Sequence, residues 1–356
     1  MRVVITIQHP GHVHFFRHPI AELEARGHDV HVFARESDVA IALLEAYDID
    51  HEVLAGESDS LLSLAAVQAT YESRLLARAR RVDPDVITAI GGVAAAHVAS
   101  VLRTKSVVFY DTEHATLITK LAYPFADVIC TPSCYRDDLG AKQVRYPGYH
   151  ELAYLHPDRF DPDPSVLESV GLDGDDEFAV VRLSSWEASH DVGHGGLSDP
   201  RAVVDRLEDA GLEVLLTAEG RPPADLESAQ FSTPPDRLHD LLAHANLVVS
   251  EGATTATEAA VLGTPAVYAN PLSLGYTAEL ESEYGLLFEC TDENRQERTL
   301  ESIDSILERD EETWDRRRTR MLDDRIDVTS FVVDRLERHA RHRPIERPLT
   351  ADSHYR

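Results

Sequence analysis

The feature that most constrains this chain is a series of short, continuous apolar runs separated by segments of helical periodicity. Examples are VVITI after the first two residues, DVITAI at 85–90, and LVVS at 247–250. Strands that are apolar without alternation are typical of parallel sheets covered by helices on both faces. The pattern therefore predicts an α/β chain built from repeated strand–helix units.

The alternation of strand and helix patterns is interrupted once, at 145–175, where a proline-rich stretch ends in an acidic run. A length of 356 residues suits roughly two domains. We therefore predict two doubly wound, Rossmann-like domains that face a cleft, since ligands bind beyond the carboxyl ends of parallel strands. The predicted divisions are domain 1–150, connector 151–175, domain 176–326, C-terminal helix 327–343 and tail 344–356.

Charge and composition limit the partners. A net charge of −29 argues against nucleic acid, whose phosphates would be repelled. Three lysines stand against 31 arginines, and the acidic residues lean towards aspartate. This composition is typical of salt-accumulating halophilic archaea, where molar salt shortens screening to about 3 Å. The acidity therefore indicates the solvent rather than a cationic substrate.

The cellular location is predicted from three features that the sequence lacks: a signal peptide, a membrane span and a CxxC pair. The chain starts directly in a strand pattern, without a signal-peptide core, and no apolar stretch approaches the ~18 residues of a membrane span. Its three cysteines form no CxxC pair, which predicts buried thiols in a reducing compartment. We expect a cytoplasmic protein, without a metal or cofactor; arginine groups at 316–320 and 335–347 leave peripheral membrane contact open.

The stretch SEGATTATEAAVLGTP (250–265) follows an apolar strand and opens a helix. Thr254 or Thr255 is expected to cap this helix, and Gly263 to end it. Free amides at 252–255 could hold a diphosphate, while Glu258 one turn inside could accept two hydrogen bonds from a ribose. A simple capped helix remains the alternative.

This pattern resembles the nucleotide-sugar signature of the GT-B superfamily, which includes a lipid-linked N-acetylglucosaminyltransferase and the non-hydrolysing UDP-N-acetylglucosamine 2-epimerases. The resemblance implies phosphate contacts at the helix start and a ribose contact from the helix glutamate. These roles fall on Gly252, Ala253, Thr254, Thr255 and Glu258. One position departs from the pattern, because Glu251 stands where relatives carry a small residue. Its carboxylate would repel a diphosphate unless it points away.

The first loop, QHPGHVHFF, resembles the glycosyltransferase loop G-G-x-G-G-H-x-x-P through Gly11, His12 and Val13. His12 is the candidate base for an acceptor hydroxyl, with His14 as a neighbouring cleft candidate. Packing and capping of the first helix by His9, His14 and His18 is the alternative. A zinc site built from His9, His12 and His14 is a lesser one.

The segment YDTEHA places Asp111, Glu113 and His114 at a strand end. It resembles the epimerase segment H-V-E-A-G, which implies that Glu113 faces the substrate. The epimerases also place an aspartate after the preceding strand, where this chain has Gly91 and Gly92. That difference weighs against an epimerase, and the two glycine amides are instead expected to approach an acceptor or a sugar.

The loop RLSSWEASHDVGHGG (182–196) follows the first strand of the second domain. Arg182 and Ser184 are suited to a diphosphate, and His190 with Asp191 could form an oriented imidazole. A solvated loop is the alternative.

Together these segments and the connector YPGYHELAYLHP resemble domain-of-unknown-function family 354, a branch of the GT-B superfamily, over about residues 1–340. The resemblance implies the fold and a glycosyltransferase-like enzyme that uses a nucleotide-activated sugar, most simply a UDP-sugar, in archaeal surface-glycan or lipid-linked oligosaccharide synthesis. Two alternatives stay open: a UDP-N-acetylhexosamine 2-epimerase, hydrolysing or not, and a non-catalytic sugar-nucleotide-binding scaffold.

Overall fold

The structure is a computed structural model that describes residues 1–56, 61–114, 116–184, 195–218, 220 and 222–340, with backbone alone for 61–65. Two parallel sheets organise the chain. We call the sheet of β1–β7 with helices α1–α5 the first lobe, and the sheet of β8–β12 with α7–α12 the second lobe. This arrangement confirms the predicted α/β class with two doubly wound sheets.

The first sheet has seven strands in the order β3-β2-β1-β4-β5-β6-β7, and all neighbours are parallel. The strands are Arg2–Ile7 (β1), Asp29–Arg35 (β2), His51–Ala55 (β3), Val86–Ile90 (β4), Lys105–Phe109 (β5), Val128–Pro132 (β6) and Gln143–Tyr146 (β7). The helices of this lobe are Pro10–Ala25 (α1), Asp38–Ala46 (α2), Leu61–Val82 (α3), Val93–Leu102 (α4) and Thr116–Ala122 (α5).

Both faces of this sheet are buried, which explains its unbroken apolar strands. Val3 and Ile5 of β1 pack into one core with Phe15 of α1, whereas Val4 between them packs into another with Tyr71 of α3. Successive strand residues point to opposite faces, so a strand between two helical layers must be apolar at every position.

The second sheet has five parallel strands in the order β12-β11-β10-β8-β9. They are Phe178–Leu183 (β8), Glu213–Ala218 (β9), Leu247–Ser250 (β10), Ala266–Ala269 (β11) and Leu287–Cys290 (β12). The remaining helices are Val166–Ser169 (α6), Pro200–Asp209 (α7), Leu238–His244 (α8), Ala253–Leu262 (α9), Gly275–Glu279 (α10), Arg295–Leu307 (α11), Glu311–Asp324 (α12) and Val328–His339 (α13).

The first part of the chain between the sheets, residues 149–155, is buried, and we call this part the connector. Tyr149, Leu152, Tyr154 and Leu155 are almost fully covered and belong to one hydrophobic core shared by the two lobes. Tyr149 donates to Glu279 at 2.8 Å, and Tyr154 donates to Glu258 at 2.8 Å. The first residues of the predicted segment 151–175 therefore pack in the interior, whereas 173–175 are exposed.

The last helix, α13, returns to the first lobe and packs against α1, β4 and β5. Asp327 caps it by accepting from the Thr329 amide at 3.0 Å, and it also accepts from Arg159 at 2.6 Å. Thr329 donates to the Ala153 carbonyl at 2.6 Å. These bonds tie the end of the described chain to the connector.

The aspartate that caps α13 gives the first prediction. Asp327→Asn keeps a cap but removes the charge that pairs with Arg159, so we expect the free energy of unfolding to fall by roughly 1–3 kcal/mol in urea titrations. Asp334→Asn is the matched control, since that carboxylate is exposed and 3.7 Å from its arginine. Equal losses in both variants would contradict the assigned contact.

Candidate functional site

The carboxyl ends of the two sheets meet across a short contact between the lobes. Glu113, after β5, accepts from the backbone amide of Gly275 at 3.2 Å and from that of Arg136 at 3.1 Å. His114 donates to the Ser273 carbonyl at 3.0 Å. Residues 113, 114, 136 and 273–275 form what we call the interlobe latch.

The two carboxylate oxygens of Glu113 have different surroundings: Oε1 belongs to the latch, and Oε2 does not. Its Oε1 takes both amide bonds, whereas Oε2 is buried and has no hydrogen-bond partner among the described residues. Gly275 permits this approach, because a Cβ there would lie 2.6 Å from the carboxylate. Glu113 therefore has a structural role and retains an oxygen for a ligand, while His114 serves the latch.

The helix start predicted to hold an anion is present. Helix α9 begins after Gly252, which is the N-cap in extended conformation, and the amides of Ala253, Thr254 and Thr255 have no partner in the part of the chain that is described. The prediction that a threonine caps this helix is wrong. Gly252 supplies no side chain, and its own amide bonds to Ser250 Oγ at 3.0 Å.

Glu251 does not leave a free carboxylate at this helix start. The side chain is 2% exposed, and it accepts from the backbone amides of Ser184 at 2.8 Å and Leu197 at 2.7 Å. A Cβ at Gly196 would overlap the carboxylate. Glu251 therefore anchors both ends of the segment 184–197, and Ser184 contributes its amide to that anchor.

Glu258, the predicted ribose ligand, is buried and hydrogen-bonded. Its Oε1 already accepts from Tyr154 at 2.8 Å and bonds to His239 Nε2 at 2.9 Å, and the residue is 4% exposed. The predicted acceptance of two hydrogen bonds from a ribose stays a prediction, with Oε1 already engaged by Tyr154 and His239. Glu258 joins α9 to the connector and to α8.

His12 lies near the start of α1, and its hydrogen bonding fixes the tautomer. Nδ1 accepts from the Gln8 backbone amide at 3.3 Å, which places the neutral ring's proton on Nε2. Burial, followed by the nearby His9 and His150, lowers the pKa of His12 to about 3. The bonded Nδ1 and the lowered pKa weigh against His12 as the base. A neutral ring with Nε2–H is a hydrogen-bond donor.

The structure pairs Asp111 with His150, which sequence reasoning missed. His150 Nδ1 and Asp111 Oδ2 are 2.9 Å apart, with side chains 8% and 16% exposed. Burial would raise the pKa of Asp111, but the charge and hydrogen bond of His150 outweigh it and hold the pKa below its usual value. His150 Nε2 is buried and has no partner among the described residues. This is a carboxylate-oriented imidazole with one nitrogen available.

Glu151 follows His150 and is 4% exposed. Burial, together with the charge of Asp111, raises the pKa of Glu151 well above its usual value. His150 and Glu151 both stand in the segment YPGYHELAYLHP, between Tyr149 and Tyr154. Two titratable side chains flanked by aromatic residues were the sequence signal that could have identified them as site residues.

The two glycines after β4 have a conformational role. Gly91 and Gly92 both have φ near +72°, and a Cβ at Gly92 would collide with Val108. Their amides bond to the carbonyls of Phe109 and Ile90 at 2.9 and 2.8 Å. The prediction that these amides face an acceptor is therefore wrong.

His14 packs inside the interface between the lobes. Its ring stacks on Tyr154 and meets His239 edge-on, with centroids 5.3 and 4.5 Å away. Burial, then His239, lowers the pKa of His14 well below its usual value. His9 caps α1 by accepting from the Gly11 amide at 3.2 Å. These contacts agree with the alternative in which His9 caps and His14 packs, while the His9 and His12 rings lie 5.9 Å apart.

Two predicted groups remain. Arg182 lies partly buried on β8, where its carbonyl accepts from the Glu251 amide at 3.0 Å. His190 and Asp191 lie outside the described residues. Over the described ranges, no group of three or more histidine, cysteine or acidic side chains converges to hold a metal ion.

The carboxylate anchor gives the second prediction. Glu251→Ala removes the acceptor shared by Ser184 and Leu197, so hydrogen exchange at both amides should quicken at least tenfold in mass spectrometry. Exchange within β10 should stay unchanged, and Glu311→Ala, an exposed acidic residue on α12, is the control. Unaltered protection at 184 and 197 would remove the anchor role.

The neutral His12 gives the third prediction. The unfolded chain protonates this ring near pH 6.5 and the folded chain near 3, so its contribution to stability is full above pH 6.5 and declines as the pH falls towards 3. His12→Asn should therefore flatten the fall in unfolding free energy between pH 6.5 and 4.5. His31→Asn on β2 is the control. Nitrogen chemical shifts that show His12 titrating near 6.5 would refute the assignment.

Comparison with known proteins agrees with this architecture. A 23% identical relative, the uncharacterised protein MJ0665 of Methanocaldococcus jannaschii, aligns over 283 residues, 76% of this chain and 82% of the relative. UDP-GlcNAc 2-epimerase from Neisseria meningitidis bound to UDP-GlcNAc matches with a TM-score of 0.67 at 12% identity, over 95% of this chain and 100% of that one. Spinosyn forosaminyltransferase SpnP matches with a TM-score of 0.64 at 15% identity, over 95% and 98%.

At these identities the solved structures show a shared fold, the two-lobed GT-B architecture of glycosyltransferases and UDP-GlcNAc 2-epimerases. The family model described as Protein of unknown function (DUF354) matches residues 1–340. The chain therefore belongs to that family, as its motifs indicated.

Proposed function

We propose that the chain is a glycosyltransferase that moves a sugar from a nucleotide donor, most simply a UDP-sugar, to an acceptor hydroxyl at the cleft. The observation that carries the proposal is the start of α9. Three consecutive amides, from Ala253 to Thr255, are unpaired among the described residues at the carboxyl edge of a parallel sheet. Amides at a helix N-terminus bind phosphate oxygens, and the helix dipole favours their negative charge.

The donor side of the reaction needs a stabiliser for the leaving diphosphate. As the bond between the sugar and the β-phosphate breaks, negative charge grows on the phosphate, and the α9 amides are fixed dipoles that meet it. Arg182, on β8 beside β10 in the same sheet, is the proposed cationic partner. Because these groups offset the charge, the proposal requires no metal ion or other cofactor.

The acceptor side needs a base, and the Asp111–His150 pair suits it better than His12. With Nδ1–H donated to Asp111, the neutral His150 ring keeps its lone pair on Nε2. That nitrogen takes the acceptor proton while the hydroxyl oxygen attacks the anomeric carbon. His12 contributes an Nε2–H donor. Nε2 of His150 is covered in this arrangement, so acceptor entry requires the lobes to part.

A 2-epimerase is the second candidate, and Glu113 favours it. Epimerisation needs a second proton-transfer group beside the Asp111–His150 pair, and Glu113 Oε2 is buried and unpartnered among the described residues. Proteins of the same fold include UDP-GlcNAc 2-epimerases. The glycines at 91–92, in place of an epimerase aspartate, keep this candidate second.

The proposal is tested by product analysis. UDP-N-acetylglucosamine is incubated with the protein, with and without a lipid-linked sugar acceptor that carries free hydroxyls, in 0.15 M and in molar KCl. Release of UDP only with the acceptor supports transfer in lipid-linked or archaeal surface-glycan synthesis. N-acetylmannosamine product without acceptor identifies an epimerase. Binding without turnover across UDP-, GDP- and CMP-sugars would leave a non-catalytic scaffold and reject both enzymes.

The fourth prediction isolates the histidine base. His150→Asn and Asp111→Asn should lower kcat by roughly 10²–10⁴-fold while KM for the donor changes little, because the pair acts on the acceptor proton. The matched control is His28→Asn, whose ring also pairs with a carboxylate, Glu337 at 2.8 Å, on the outer surface. A loss of donor binding with unchanged kcat would instead assign the pair a structural role.

A further inference from the structure

An exposed apolar surface lies on the first lobe beside the cleft. Leu117 and Leu121 on α5 are 68% and 44% exposed, Phe125 just after the helix is 50% exposed, and Val101 on α4 is 59% exposed. We call these four residues the α5 patch. They are half of the large hydrophobic residues exposed in the described ranges. A contiguous exposed apolar patch is unusual on a soluble surface and indicates a contact site.

The patch is one surface, because His97 joins its parts. The His97 ring packs edge-on against Phe125 at 4.8 Å, and its Nε2 donates to the Leu121 carbonyl at 3.0 Å. His97 and Val101 are four residues apart on α4 and so share a helix face. Leu117 and Leu121 have the same spacing on α5.

The charge around the patch is opposite to that of the chain. All three lysines of a protein with net charge −29 border it. Lys120 is on α5, and Lys142 donates to the carbonyls of Tyr123 and Pro124 at 3.1 and 2.9 Å. Lys105 pairs with Asp127 at 3.0 Å. The exposed Arg103 stands two residues from Lys105.

Carboxylates also stand near these cations, including the exposed Asp137 and Asp138, which precede Lys142 in the chain. Asp127 is already engaged by Lys105, and Glu72 lies 3.2 Å from His97. An exposed apolar face bordered by cations matches an anionic lipid surface, where apolar side chains enter the headgroup boundary and lysines meet the lipid charges. No described helix has the length and hydropathy to cross a bilayer, so any such contact is peripheral.

We infer that the α5 patch docks the protein on an anionic membrane surface. Helix α5 begins at Thr116, shortly after Glu113 and His114 of the interlobe latch, so Leu117 is the patch residue nearer the cleft. Val101 and Phe125 stand towards the amino edge of the sheet, just before β5 and β6. The inference stands apart from the reaction proposed above, since docking is measured without turnover.

The fifth prediction is a vesicle flotation experiment on the full chain. In 0.15 M KCl the protein should float with vesicles of equal phosphatidylglycerol and phosphatidylcholine, and at least tenfold less with pure phosphatidylcholine. Leu117→Gln with Phe125→Ser should lower the partition coefficient at least tenfold, because these side chains enter the lipid. Lys120→Gln with Lys142→Gln should remove the preference for the anionic lipid.

The control is Val39→Gln with Leu307→Gln, two exposed apolar residues outside the patch, and it should float like the parent chain. Circular dichroism and UDP binding confirm folding of each variant. Absence of flotation by the parent chain, or equal loss in the control, overturns the inference. A second result would also overturn it. In that result the parent chain does not bind vesicles but forms a dimer in light scattering, and the patch variant does not form the dimer.

Discussion

The structure depends on the burial of the connector between the two sheets. Tyr149 and Tyr154 each donate to a carboxylate of the second lobe, Glu279 and Glu258, at 2.8 Å from within a shared apolar core. Burying a carboxylate without hydrogen bonds lowers the stability of the folded state, so each glutamate depends on the hydroxyl of its tyrosine. This requirement fixes how the carboxyl edges of the sheets face each other, and thereby positions the cleft.

The same connector carries His150 and places it beside Asp111, so the packing between the lobes also positions the proposed catalytic pair. A histidine in a flexible linker would have no defined partner, whereas here its ring packs on Phe15 at 4.7 Å and its Nδ1 lies 2.9 Å from the carboxylate. Packing and hydrogen bonding from two sides hold the ring in one orientation, and general base catalysis requires such preorganisation. The first lobe thus supplies the carboxylate that orients the ring, and the connector supplies the histidine proposed as the base.

The sequence predicted the fold well because parallel strands and amphipathic helices are encoded locally. The strand LVVS and the start of α9 at Ala253 follow from a few neighbouring residues. The site was harder to predict, because each role depends on a distant partner. Glu258 bonds to Tyr154 across 104 positions, and Glu251 to Ser184 across 67, so no local pattern shows that these carboxylates are already occupied. One amide bond and burial weigh against His12 as the base.

The anchoring of residues 184 and 197 on one carboxylate has a consequence for how this family can diversify. Glu251 accepts from the backbone amides at 184 and 197, so these two contacts do not depend on the side chain at either position. Proline is the exception at both, since it has no amide to donate, and Gly196 must stay small beside the carboxylate. Within the family, positions 184 and 197 can therefore change their side chains without losing the anchor, whereas position 196 is restricted to glycine.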